Sequence, residues 1–231
     1  MRNLIITPVY KSYEIVKKMC DAIDRFTVNP YLHVIVDDDS SLEEPFPIKP
    51  SPSRRIIMLK RDYTGIIHKN GLGQVIQIGY DYAHQMYFNE HKNSLPYDNI
   101  FLIEADVIVE SEWDKKMIEI KETLPEDWLS LDQQSIDKEG NLTHPTTVSE
   151  RLGYERADLE IMRYPDFQIT LFNPKIFAAG IKFSDLPSHF DIMMGRKTEE
   201  VLKGRHFRTK LVKSMHYFYS SRKFLSEEPK K

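Results

Sequence analysis

Apolar residues along this chain fall into two kinds of pattern, and the two alternate. Leu4 to Tyr10, Tyr31 to Val36, Arg54 to Leu59 and Asn99 to Glu104 are short, nearly continuous apolar runs bounded by turn residues. Such runs predict strands buried on both faces. Between the first two, Ile15, Val16, Met19, Cys20, Ile23 and Phe26 recur at helical spacing, with Ser12 placed to cap and Glu14 in the first turn. Thr7-Pro8 marks the end of the first strand, because proline has no amide to donate to a ladder. Longer helical segments are expected over Gln74 to Asn89 and over Glu112 to Thr123, where Trp113, Met117 and Ile120 share a face.

The second half is less regular. Trp128 to Leu131 predicts a short strand, and Asp132 to Met162 is polar and poorly periodic, so it is read as a variable insertion contributing to a substrate-binding wall. Gln168 to Phe172 predicts a strand closed by Asn173-Pro174, followed by a short helix near Lys175 to Ala179. Ser188 would cap a helix from His189 to Lys203, which Gly204 would end. Arg208 to Val212 is expected to be the last strand. Strands alternating with helices predict an α/β fold: a single-domain, open, mostly parallel twisted sheet with helices on both faces. The domain covers 1–225, with 226–231 as a charged, flexible tail.

Composition narrows the function. The 231 residues are 41% hydrophobic and 29% charged with a net charge of −3, the profile of a soluble globular protein without the basic excess that phosphate-backbone binding needs. Nucleic acid is therefore not an expected partner. The single cysteine, Cys20, sits among apolar helical positions and reads as a small buried hydrophobe. The chain begins on a strand, without a basic leader or a long apolar segment, so no signal peptide or transmembrane segment is expected. A cytoplasmic location follows, and peripheral membrane association would have to come from the surface or from a partner.

The candidate chemistry lies where strands end. Glu104-Ala105-Asp106 places two acids at i and i+2, which on an extended strand point to one face and can converge on Mg²⁺ or Mn²⁺. Taken alone, the same residues also suit a solvated acidic strand end. Asp37-Asp38-Asp39 closes the second strand. In a parallel sheet ligands bind beyond the carboxyl ends of the strands, so the two acid groups would border one crevice. Like charges held close need a cation or hydrogen-bond donors, which points to a metal bound with a diphosphate. The segment 64–73 is punctuated by Gly65, Gly71 and Gly73, carries Lys69, and leads into a helix whose free amides suit anions. It matches neither a P-loop nor a dinucleotide fingerprint, and a plain glycine-rich helix start also fits it. Four prolines between Leu42 and Ser53 mark a stiff surface loop.

Ile6-Thr7-Pro8-Val9-Tyr10, Val36-Asp37-Asp38-Asp39-Ser40, the glycine-containing lead-in and Glu104-Ala105-Asp106, in that order, resemble the family-two glycosyltransferases of the GT-A fold over most of the chain. The resemblance implies a nucleotide-binding half (1–110), an acceptor half (111–225) with the insertion at 132–162, and transfer of a hexosyl group from a nucleotide-sugar to an acceptor hydroxyl. The acceptor would be a glycan, a lipid-linked molecule or a small molecule. Pro8 and Tyr10 would line the base pocket, Asp38 would hydrogen-bond the base, and Lys69 would approach the diphosphate. Asp106 would bind the Mn²⁺ or Mg²⁺, while Glu104 would face the ribose or a metal-bound water. Glu104 stands where the family usually has aspartate, and Gln77 where it often has asparagine. His216, just after the last strand, matches a histidine that joins or approaches the metal in many relatives; a packed or surface histidine is the alternative. The catalytic base would be Asp191, with Asp185 in reserve, and a single base implies inversion. Asp191 also suits the start of a helix for purely electrostatic reasons.

Two rivals share the sheet. A sugar nucleotidyltransferase would need a glycine-rich loop with a basic residue directly after the first strand, where this chain has Pro8-Val9-Tyr10-Lys11-Ser12. The other is a catalytically silent nucleotide- or glycan-binding domain that kept the fold and lost the base.

Overall fold

The computed structural model describes residues 2–10, 13–38, 46–59, 71–90, 97–143, 156–185 and 190–217. Among them nine strands form one mixed sheet and helices cover both of its faces, in a single α/β domain. The first half follows the apolar runs. β1 (Asn3–Val9), α1 (Tyr13–Phe26), β2 (Tyr31–Asp38), β3 (Arg54–Leu59), α2 (Gly71–Glu90) and β4 (Asn99–Ile103) give the parallel order β3-β2-β1-β4. Ser12, the expected cap of α1, and Lys69 lie outside the described residues.

Pro8 does not end β1. It pairs with Val36 of β2 inside the strand, but the ladder with β4 stops at Ile6–Leu102, so the proline stands where one of the two neighbours has been lost.

The second half departs further from expectation. After β5 (Val107–Val109) and α3 (Trp113–Lys121), β6 runs from Trp128 to Ile136 rather than stopping at Leu131. β7 (Leu159–Met162) also falls inside the stretch expected to be an insertion. Hydropathy concealed both. Asp132, Gln133, Gln134 and Ser135 are buried in β6 although none is apolar. β8 (Ile169–Phe172) runs antiparallel between β4 and β6, which makes the sheet mixed.

After α4 (Lys175–Ala178) and α5 (Phe190–Leu202), β9 (Arg205–His216) is far longer than Arg208 to Val212. It is parallel to β6, with Thr209 opposite Gln133 and Lys213 opposite Gln134, so residues 210–212 form a bulge. The bulge divides the far edge of β9, whose first half pairs with β7 and whose last residues pair with β5.

Two apolar layers hold the domain. On one face α1 and α3 bury Met19, Ile23, Trp113 and Met117 against Ile5, Ile35, Phe101 and Leu131. Trp113 stands edge-on to Phe101 at 4.9 Å, and its indole N–H donates to Thr27 Oγ1 at 3.1 Å. Cys20 lies in this layer, and burial pushes its thiol up to about 12, the inert reading drawn from its neighbours. On the other face α2, α4 and α5 supply Val75, Ile76, Ile176 and Met194 against Leu4, Val34, Leu102 and Leu129.

Gly204 does not end α5 through a left-handed conformation. Lys203 takes that role with φ 54°, while a β-carbon at Gly204 would lie 2.3 Å from the carbonyl oxygen of Asp127. The glycine is needed where β9 starts against the strand lead-in at Asp127.

Candidate active site

β2, β1 and β4 run in the same direction and in register, with Ile6 opposite both Val34 and Leu102. Their carboxyl ends therefore form one edge. Asp37 and Asp38 close β2 two strands away from Glu104, a separation across the sheet of about 10 Å at the usual strand spacing. Asp37 is buried and accepts a hydrogen bond from the hydroxyl of Tyr13 at 2.9 Å, and Asp38 is half-buried. Pro8 and Tyr10 are half-buried at the end of β1 on the same edge.

Glu104 and Asp106 do not sit on an extended strand. The amide of Val107 donates to the carbonyl of Glu104 at 3.2 Å, closing a tight turn between β4 and β5. The turn, not strand pleating, brings the two carboxylates together. Its geometry is fixed from three sides. The Glu104 amide donates to the Gln168 carbonyl at 3.0 Å, the Tyr217 amide donates to the Asp106 carbonyl at 3.0 Å, and Val107 lies opposite His216 in the β5–β9 ladder.

That ladder delivers the histidine, which packing alone would not have singled out. His216 Nε2 lies 3.3 Å from Asp106 Oδ2, and both side chains are buried. Glu104, Asp106 and His216 each offer a ligand atom, and all three atoms lie within 4.8 Å of one another. Two carboxylate oxygens and an imidazole nitrogen, pre-gathered at the rim of the sheet, fit a divalent cation. The nitrogen donor favours Mn²⁺ over Mg²⁺, which takes oxygen ligands and retains its waters. Three protein donors leave coordination positions for other ligands.

The remaining candidates are placed less centrally. Asp191 is half-buried in the first turn of α5 and is not part of the three-residue cluster. The side chain of Asp185 is outside the described residues. Gln77 is occupied within the fold: its Oε1 accepts from the Phe183 amide at 2.9 Å and its Nε2 donates to Asp81 Oδ1 at 2.8 Å, tying α2 to the turn at Phe183–Asp185.

Residues that sequence reasoning did not single out support the site from behind. Gln168 holds the Glu104 amide through its carbonyl, and its side-chain oxygen accepts from Thr143 at 3.4 Å. Between Gln168 and Asp166 stands Phe167, buried and left-handed at φ 61°. That conformation costs a bulky residue on the order of 1–3 kcal/mol and persists only where its surroundings hold it. The only signal in the sequence was the position of Gln168 as the first residue of a predicted strand.

No protein-family model matches the chain, and no curated protein matches it. Solved structures match its fold. TarS of S. aureus, residues 1–349, superposes with a TM-score of 0.62 at 13% identity over 98% of this chain and 63% of its own. The same protein in complex with UDP-GlcNAc gives 0.61 at 10% identity over 95% and 60%. GalNAc-T7 with UDP, GalNAc and Mn²⁺ gives 0.65 at 11% identity over 94% of this chain and 44% of its own. The chain thus spans less than two thirds of each of these structures. TarS and GalNAc-T7 are glycosyltransferases of GT-A type, and the fold of this chain is GT-A glycosyltransferase-like.

Proposed function

We propose that this GT-A-like chain is a metal-dependent, inverting glycosyltransferase that moves a hexosyl group from a nucleotide-sugar to an acceptor hydroxyl. One observation carries the reading: Glu104, Asp106 and His216 converge at the same carboxyl edge of the sheet that Asp37 and Asp38 close two strands away. The neighbours bound to UDP, to UDP-GlcNAc and to UDP with Mn²⁺ favour a uridine nucleotide and Mn²⁺.

In this reading residues 1–110 bind the donor and 111–225 receive the acceptor, whether glycan, lipid-linked or small molecule. Pro8 and Tyr10 flank the base and Asp38 accepts a hydrogen bond from it. Lys69 approaches the diphosphate. Asp106 and His216 hold the metal, and Glu104 is close enough to them to be a third ligand rather than a ribose contact alone. A bound metal ion would neutralise the diphosphate as its bond to the sugar breaks.

Asp191 takes the proton of the acceptor hydroxyl. The freed oxygen attacks the anomeric carbon from the side opposite the diphosphate, and the bond from that carbon to the phosphate oxygen breaks with its electron pair leaving on the phosphate. One displacement inverts the centre. Among the described residues no helix is long and apolar enough to cross a membrane.

The test is an assay of sugar transfer or donor hydrolysis with UDP-hexoses and Mn²⁺, run beside Asp191→Asn. The variant is expected to lose turnover and keep nucleotide binding. Undiminished turnover would remove Asp191 from the mechanism, and no sugar release from any donor by the unaltered chain would favour a silent binding domain.

A further inference from the structure

Behind the metal-binding turn lies a second group of charged residues with no place in the proposed chemistry. Asp132 of β6 is fully buried and accepts two short hydrogen bonds, from the Asp166 amide at 2.6 Å and from Thr170 Oγ1 of β8 at 2.6 Å. Arg208 of β9, equally buried, donates from Nη1 to Asp166 Oδ2 at 3.2 Å, and from Nε and Nη2 to Glu160 Oε2 of β7 at 2.9 and 2.6 Å. Lys210 adds a second cation 3.4 Å from Glu160. The connection from β7 to β8 is thus fastened by its backbone to one strand and by its side chain to another.

That connection has two other attachments. At its end, Gln168 receives the Glu104 amide. At its beginning, Arg163 and Tyr164 press on α5 so closely that a β-carbon at Gly195 would lie 2.5 Å from Tyr164 Cβ and 2.8 Å from its Cα. Asp191 is one helical turn ahead of Gly195 on the same helix. The left-handed Phe167 lies between the two fastened residues Asp166 and Gln168.

We propose that Asp132 is a positioning residue: with Arg208 it locks the 163–168 connection, including the strained Phe167, and so fixes the Glu104–Asp106 turn relative to the first turn of α5. The role rests on the reading that the turn binds metal and that α5 presents the base. Burial first, and then the neighbouring Asp166 carboxylate, push Asp132 well above the usual carboxylate range. The pair therefore favours one retained proton over two adjacent charges, with Arg208, Glu160 and Lys210 as the other charged groups around it. Raising the pH would set Asp132 and Asp166 in repulsion and loosen the lock. Asparagine at 132 can accept from the Asp166 amide and donate to Thr170 without ever ionising.

The experiment compares the full chain with Asp132→Ala and Asp132→Asn, following the Glu104 amide by hydrogen exchange and Mn²⁺ affinity by calorimetry. Asp132→Ala is expected to speed Glu104 exchange about tenfold or more, leaving Ile5 and Ile35 amides unchanged, and to weaken Mn²⁺ binding about tenfold. Asp132→Asn is expected to restore both. An unchanged Glu104 amide in Asp132→Ala, or Asp132→Asn as fast as Asp132→Ala, overturns the proposal. Should Asp132→Ala not fold, the pH arm decides. Protection of Glu104, corrected for intrinsic exchange, falls from pH 6 to 9 in the unaltered chain and stays level in Asp132→Asn, whereas level protection in both overturns the proposal. Failure of the unaltered chain to bind Mn²⁺ counts against the metal reading alone, because the exchange measurement reports the lock without metal.

Discussion

His216 Nε2 and Asp106 Oδ2 lie 3.3 Å apart although the residues are far apart in sequence. The Val107–His216 register and the Tyr217 amide on the Asp106 carbonyl hold them there. Glu104 completes the cluster across a single tight turn. If this is a ligand set, its members are not interchangeable with neutral isosteres.

Replacing His216 by alanine is therefore expected to weaken Mn²⁺ binding by at least the ~10–100-fold that loss of a mere supporting residue costs. The backbone ladder to β5 is kept, so the melting temperature without metal should change little. Calorimetric Mn²⁺ titration checks this. Unaltered affinity would leave His216 as a packed residue beside Asp106.

Asp132 gives a prediction about stability in the alkaline direction. Its folded-state value is raised by burial and by Asp166, so the native state binds a proton that the unfolded chain releases above about pH 4. Stability contributed by this group is greatest in acid and declines as pH rises toward the folded value, by up to about 1.4 kcal/mol per pH unit. Asp132→Asn should abolish that decline and be the more stable protein at pH 8. Urea unfolding at pH 5, 6.5 and 8 decides it, and parallel curves for the two proteins would contradict it.

Histidine 206 makes the opposite prediction. Thr198 donates its hydroxyl proton to carbonyls of the preceding turn, so His206 Nε2–H donates to Thr198 Oγ1 at 3.1 Å, and Nδ1 accepts from Ser130 Oγ at 2.9 Å. Burial lowers it to about 4, and the buried His33 is likewise held well below the usual histidine range. The unfolded chain takes up protons first, so stability is complete above about pH 6.5 and is lost as pH falls toward 4, by up to about 1.4 kcal/mol per pH unit for each group. Histidine signals followed by NMR should show both rings neutral at pH 5.5 in the folded protein, and a charged His206 there would contradict the hydrogen-bond assignment.

The first half of the fold was legible because strands buried on both faces are mostly apolar, as β1, β2 and β4 are, and the edge strand β3 still carries the run Ile56 to Leu59. The second half hid its strands behind polar residues. Asp132 has its hydrogen bonds from Thr170 and Asp166, and Ser135 has Ser214, so these positions are buried without being hydrophobic. A family resemblance pointed to Asp106 and His216, but no feature of the sequence showed their geometry. A β-turn with Ala105 at its centre looks the same in sequence as a strand end, and the pairing of Val107 with His216 depends on the whole sheet. The pairing of Asp132 with Asp166 and Arg208 was beyond reach for the same reason: strands β6 and β9 meet only after the chain has folded around them.

The most direct measurement is calorimetric titration of UDP into the full chain with Mn²⁺, with EDTA, and with Mn²⁺ after Asp106→Asn. The account predicts binding in the first case and its loss in the other two, with the variant retaining the fold's melting temperature in the absence of ligand. Equal UDP affinity with and without metal, or undiminished affinity in Asp106→Asn, would contradict the assignment of Glu104, Asp106 and His216 as the metal centre of a donor site.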